Sequence, residues 1–193
     1  IADAKANPRY IAADLLSQAE HDTLACSILL TPSKDIAEKV AVEVDKQLAK
    51  LSRNEIAKKS IESYGRIVVT ETMEEAIDLA NEIAPEHLEL AVENPFDYLN
   101  KIRNAGAIFL GEYSPEPLGD YFAGPNHTLP TSGTAKFASP LSVDAFIKKS
   151  SVIYYTREAL SSVKDKIIRI AESETLTAHA NSIRVRFDSD EDE

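Results

Sequence analysis

Gln18 and His21 lie three residues apart in Ile11 to Asp22, IAADLLSQAEHD, whose apolar residues Ile11, Leu15 and Leu16 fall at helical spacing. On a helix, both side chains leave one face about a turn apart. Each offers a lone pair, the amide through its oxygen and the imidazole through nitrogen. The chain has four histidines, and each has another donor or acid nearby. His87 follows Glu86 directly after Pro85. His127 follows Asp120 in a Pro- and Gly-rich stretch, and His179 comes shortly after Glu174. Zinc takes His nitrogen and Asp oxygen readily, and Gln oxygen occasionally. Gln18, His21, Asp120 and His179 would supply two nitrogens and two oxygens. Taken singly, Gln18-x-x-His21 and His179 also suit an ordinary helix surface. Glu86-His87 could exchange protons with a substrate. Strand neighbours point to opposite faces, so the pair can share one site only at a strand end or turn; otherwise it is a polar strand edge. Gly119-Asp120 and Gly124 to His127 (GPNH) also suit plain turns. From the residues alone, the chain is an α/β protein with a metal or acid–base site.

The elements that must carry these groups alternate. Ala25 to Thr31 reads as a strand, and Thr31-Pro32-Ser33 opens a helix from Lys34 to about Leu51. Asn54 caps a second helix through Tyr64, ended by Gly65. Arg66 to Thr70 is a β-branched strand, and Thr72 with Glu75 forms a capping box for a helix to Ile83. His87 to Val92 returns as a strand, Pro95 opens a short helix through Arg103, and Ala107 to Gly111 is another strand. Several strands are apolar throughout, the pattern of a mostly parallel sheet with helices on both faces. Binding residues in such folds gather at the carboxyl ends of strands. Glu112 to Pro140 is irregular and rich in Pro and Gly, as long functional loops are. Ser151 to Thr156 reads as a strand and Glu158 to Ser173 as a helix. Thr175 to Phe187 is a further helix, or a helix then a strand.

Composition narrows the function classes. The 193 residues carry 21 basic and 32 acidic side chains, a formal charge of −11. No Lys/Arg cluster gives a nucleic-acid footprint, and no apolar run is long enough to span a bilayer. Asp188 to Glu193 reads as a solvated, disordered acidic tail. The single cysteine, Cys26, sits in an apolar run and reads as a buried structural thiol. It cannot form an internal disulfide, so a cytoplasmic setting is expected. Ile1-Ala2-Asp3 reads as a strand end entering a turn, as in a chain cut from something longer.

Five stretches together resemble histidinol dehydrogenases: AADLLSQAEHD (Ala12 to Asp22), APEHLEL (Ala84 to Leu90), GAIFLG (Gly106 to Gly111), GDYFAGPNHTLPTSG (Gly119 to Gly133) and ETLTAHANSI (Glu174 to Ile183). They occur in family order across nearly the whole chain. The resemblance implies oxidation of L-histidinol to L-histidine through an enzyme-held histidinal, with two hydride transfers to NAD. It implies zinc on Gln18, His21, Asp120 and His179, holding the substrate more than activating it. It makes His87 the base for the alcohol proton and Glu86 the residue that activates water. Glu174 contacts substrate and His127 lines the site.

The fold implied is a partial Rossmann-like parallel sheet with flanking helices and a small helical C-terminal extension. Residues 1–140 would carry the zinc and substrate site. Residues 141–187 would be a dimerisation extension that places Glu174 and His179 in the partner's site of a homodimer. The family's nucleotide contacts and half of its sheet precede the matching region, and no Gly-rich dinucleotide fingerprint occurs here. The chain alone is therefore expected to be inactive. Two other readings stay open: a relative acting on another amino or sulfonated alcohol, and a non-catalytic zinc-binding dimerisation module. Metal analysis with histidinol titration separates these.

Overall fold

The computed structural model describes residues 1–188 in two compact units, Ile1–Ile147 and the residues from Lys148 onward. The expected acidic tail falls almost wholly outside the described residues. Among the described residues, no helix is long and apolar enough to cross a membrane.

The first unit is built on parallel strand pairs. Strand β1 (Ile28–Thr31) pairs with β2 (Arg66–Val69), and β3 (His87–Leu90) pairs with β4 (Ala107–Leu110). Ile1 to Asp3 joins the pairs. The Ala2 N–H donates to the Leu30 carbonyl (3.0 Å), and the Ala91 N–H donates to the Ile1 carbonyl (2.9 Å). Across the sheet the order is β2, β1, residues 1–3, β3, β4. In chain order this is 3-2-1-4-5, a Rossmann-like order that crosses the switch point between residues 1–3 and β3.

Alternation along the strands sorts the two faces. Ile1, Leu30, Leu88 and Leu90 pack with Ala76, Ile77 and Ala80 of helix α4 (Met73–Ile83). Ala2 and Leu29 pack the other way, against Ile11 and Leu16 of α1 (Pro8–Ala19) and Ile36, Val40 and Val44 of α2 (Lys34–Leu48). Ser33 and Thr72 cap α2 and α4 through their hydroxyls. Helix α3 (Asn54–Tyr64) begins one residue earlier than its sequence suggests. Arg53 occupies the cap position, and Asn54 is already helical. Gly65 ends α3 in an extended conformation, and its value lies in space, since a Cβ there would stand 2.6 Å from the Ile61 carbonyl oxygen.

Further departures follow from local geometry. Strand β1 starts only at Ile28, so Cys26 lies before it and is exposed rather than buried. Ser27 takes the buried position, its hydroxyl donating to the Leu15 carbonyl (2.7 Å). The Pro95 helix shrinks to α5 (Phe96–Leu99). The irregular stretch after β4 contains a helix, α6 (Glu116–Tyr121), started by Pro115 and Pro117 at positions that need no intrahelical N–H.

In the second unit, Thr156 caps α7 (Arg157–Ser173), and α8 (Thr177–Arg184) follows. Arg157 and Lys164 stand over the Phe187 ring. Ser151 to Thr156 forms no strand, because no described strand pairs with it.

Buried Asn81 fixes the approach to β4. Its amide donates to the Lys101 carbonyl (3.0 Å) and accepts from the Arg103 and Asn104 N–H groups (2.7 and 3.2 Å). Asn81→Ala is expected to destabilise the fold by about 1–3 kcal/mol, because it strands buried polar groups, and urea unfolding of the full-length protein measures this.

Candidate functional site

His87 and Glu89 point to the α1 face of β3, opposite Leu88 and Leu90. Glu86 lies just before the strand and His87 is its first residue, paired with Ala107. The two therefore stand at a strand end, the one place where neighbours can share a site. Backbone bonds hold them there. Gly106 donates to the Pro85 carbonyl (2.9 Å) and Ala107 to the Glu86 carbonyl (2.8 Å). A Cβ on Gly106 would stand 2.5 Å from that Glu86 oxygen, so only glycine allows the approach.

This is the amino end of β3, whereas the fold class suggests carboxyl ends. The cause is the path of the helices. Helix α1 leaves the far end of residues 1–3 and returns to this edge with Gln18 and, just past it, His21. Helix α6 returns likewise from the far end of β4 with Asp120. Gln18, Glu86, His87 and Glu116 line one cavity of about 550 Å³. His21, Glu86 and Asp120 all act electrostatically on His87. His87, Glu116 and Asp120 bring one donor atom each to within 4.8 Å of one another. His127 is exposed on its loop, and Glu174 and His179 are exposed on the second unit.

Glu116 and Glu89 were not singled out by the sequence reading. Glu116 is 9% exposed, and one of its carboxylate oxygens lies within 4.8 Å of an Asp120 oxygen. Its N–H donates to the Glu89 carboxylate (2.9 Å). The i,i+4 spacing of Glu116 and Asp120 is the only signal that could have flagged Glu116, and it counts only once the helix is known. Glu89 shows in the alternation of His-Leu-Glu-Leu, which turns a carboxylate to the face that His87 occupies.

Desolvation governs these acids. Burial, then the Asp14 charge, pushes Glu89 up to about 8; burial also raises Asp14, which accepts the hydrogen bond from Glu89. Burial, then the bond to Asp120, pushes Glu116 up to about 7. Burial pulls His87 below its usual value, against the opposing pull of Glu86 and Asp120. The 4.0 Å approach of His87 Nε2 to Glu116 Oε1 is thus no strong ion pair near neutral pH. A neutral imidazole there can accept a proton.

The histidinol dehydrogenase family profile matches residues 1–187. The chain belongs to the histidinol dehydrogenase family. It is 64% identical over 190 residues to a histidinol dehydrogenase of Caldanaerobacter subterraneus subsp. tengcongensis, covering 98% of this chain and 44% of that protein. It is 60% identical over 187 residues to the Clostridium acetobutylicum histidinol dehydrogenase, covering 97% and 43%. The crystal structure of histidinol dehydrogenase from Elizabethkingia anophelis superposes with a TM-score of 0.88 at 43% identity, covering 96% of this chain and 42% of that one. The chain thus spans under half the length of these histidinol dehydrogenases.

The donors suit zinc. Imidazole from His21, carboxylate from Asp120 and amide oxygen from Gln18 are acceptable ligands, and acids crowded on a desolvated face favour a cation.

Two outcomes are expected. A Cβ on Gly119 would meet Phe109 Cε1 at 2.7 Å, and the Phe109 ring lies 5.9 Å from the His87 ring. Gly119→Ala should therefore displace Phe109 and lower stability by about 1–3 kcal/mol, read by thermal unfolding. Glu89 keeps its proton to about 8 when folded and loses it near 4.5 when unfolded. The folded state therefore binds more protons between these values, and this contribution to stability falls as pH rises from 4.5 through 8. Urea midpoints across that range should show a smaller fall for Glu89→Gln than for the wild type.

Proposed function

We propose that this chain carries the zinc site and acid–base residues of an enzyme that oxidises L-histidinol to L-histidine with two NAD, the last step of histidine biosynthesis. The observation that carries this reading is Glu86-His87 at a strand end, facing Gln18, His21 and Asp120 inside a chain of this family. Gln18, His21, Asp120 and His179 would hold zinc, which orients the substrate's imidazole and amine. NAD accepts the hydride and is bound mainly by the portion of the family that this chain does not span.

His87 takes the proton of the substrate alcohol as hydride leaves the carbinol carbon, giving histidinal. Its lowered pKa keeps the imidazole neutral and ready at neutral pH. Glu86 then draws a proton from water as the water adds to the aldehyde carbon. The second hydride leaves the resulting hydrate, and the carboxylate of histidine is formed. The tilted Phe109 ring packs beside His87 and limits its solvation. Glu174 contacts substrate, and His127 lines the site.

In this reading the protein is a cytoplasmic homodimer with a shared active site, and residues 141–187 are its dimerisation extension. Val152, Ile153, Tyr154 and Tyr155 support this, since four consecutive large apolar residues exposed to water suit burial against a second copy. Nucleic acid and membrane are not among the partners proposed.

In the full-length protein, His87→Asn should lower kcat for histidinol roughly a hundred- to ten-thousand-fold while zinc content stays unchanged. Wild-type kcat/KM should begin its acidic fall below pH 6.5, the ordinary histidine value, because burial depresses His87. Zinc-loaded protein that does not bind histidinol in a calorimetric titration would refute the enzymatic reading in favour of a zinc-binding module. Turnover of a different amino alcohol in preference to histidinol would refute the substrate.

A further inference from the structure

We propose that Glu89 is a positioning residue whose side chain pegs the first turn of α6 to β3 and thereby sets Asp120 against His87. The proposal rests on the zinc reading above, in which Asp120 is a ligand.

The start of α6 offers β3 little to hold. N–H groups at a helix start lack intrahelical partners, and Pro115 and Pro117 carry no N–H at all. Glu116 therefore has the single backbone donor of residues 115–117. That N–H donates to Glu89 Oε1 (2.9 Å). Proline fixes its own φ, so holding the one N–H between two prolines holds the whole turn. Glu89 lies on the face of β3 that carries His87, two residues further along the strand.

The register follows from two repeats that nearly match. From Glu89 back to His87 is two strand residues, about 6.6 Å. From Glu116 forward to Asp120 is four helical residues, a rise of about 6 Å. With Glu116 pegged at Glu89, Asp120 arrives beside His87, where one donor atom of each lies within 4.8 Å of the other. The far end of α6 has its own seat. Glu89 pairs with Phe109 across the sheet, and a Cβ on Gly119 would stand 2.7 Å from Phe109 Cε1. Gly119, one residue before Asp120, sets how closely α6 approaches the sheet. Glu89 sets how far along the sheet α6 stands. A slip of one helical residue is about 1.5 Å, far more than the ~0.2 Å that a metal–ligand bond tolerates.

A carboxyl group keeps an acceptor oxygen whether or not it is ionised, so the peg does not depend on the proton of Glu89. Glutamine keeps that acceptor at the same reach. Leucine fills similar space without it.

The test measures zinc affinity of the full-length protein by chelator competition, alongside thermal unfolding. Glu89→Leu should weaken zinc about 10- to 100-fold, whereas Glu89→Gln should stay within about threefold of wild type. Unchanged affinity in Glu89→Leu overturns the proposal. Equal loss in Glu89→Gln and Glu89→Leu overturns it too, since the charge of Glu89 would then matter and its bond to Glu116 would not. Should Glu89→Leu fail to fold, amide exchange in zinc-free wild type decides. A Glu116 N–H that exchanges slowly supports the peg, and one that exchanges like an open loop overturns it. Asp120→Ala is the separate check on the ligand set. If it binds zinc like wild type, the zinc reading itself fails. If it loses zinc while Glu89→Leu does not, only the peg fails.

Discussion

More carboxyl groups share one desolvated face than can be ionised together. Asp14, Glu89, Glu116, Asp120 and Glu86 all act on one another or on His87 across the α1 side of β3. Like charges this close in a poorly solvated place repel strongly, so the face must hold protons or a cation. Asp14 and Glu89 take the first route, with the proton on Glu89. That leaves Glu89 able to receive the Glu116 N–H and to fix the start of α6. His87, Glu116 and Asp120, whose donor atoms lie within 4.8 Å of one another, form a group that could instead hold a cation. His87 loses its proton easily for a different reason, its burial. Its desolvation outweighs the pull of the neighbouring acids.

The frame that creates this crowding is the narrow insertion of residues 1–3 between β1 and β3. Without it, the two strand pairs would share no hydrogen bonds, and α1 would have no fixed position against His87. With it, the face toward α4 is apolar from Leu30 through Ile1 to Leu88 and Leu90, while the face toward α1 changes character along the sheet. Near β1 it is Ala2 and Leu29 against Ile11 and Leu16. At β3 it is His87 and Glu89, covered by α1 and α6. Each helix starts from the carboxyl end of a strand and returns, which delivers Gln18 and Asp120 to the amino edge. A switch point in strand order is present, yet the polar groups collect at the opposite edge, because that is where returning helices end.

Sequence pattern made much of this legible. The helix starts at Ser33 and Thr72 follow from local chemistry, and short apolar or β-branched runs locate β1 and β2. Glu86-His87 is readable as a pair because Pro85 fixes a boundary at the point where strand alternation begins. What failed depended on tertiary space. Cys26 sits in an apolar run, but its burial turns on where β1 begins. Gly65 resembles a left-handed helix end, yet what it provides is room beside Ile61. Helix α6 hides behind Pro115, Pro117 and Gly119, residues that usually break helices. Pro here occupies the first turn, and Gly119 is demanded by the Phe109 ring. With α6 unseen, Glu116 had no face to share with Asp120, so its part in the site stayed hidden.

Ser151 to Thr156 shows the same limit in another form. Val152, Ile153, Tyr154 and Tyr155 have the β-branched and aromatic character of a strand, but a strand exists only through a neighbour's hydrogen bonds. None of the described strands supplies them, and these residues stay exposed. Local propensity therefore states a need that one chain leaves unmet. Under the homodimer reading, a second copy meets that need with apolar contact. Under that reading the same docking would also fix α8, which carries His179, and Glu174 just past the end of α7, so that burial of one apolar segment and delivery of the last two polar groups become a single event.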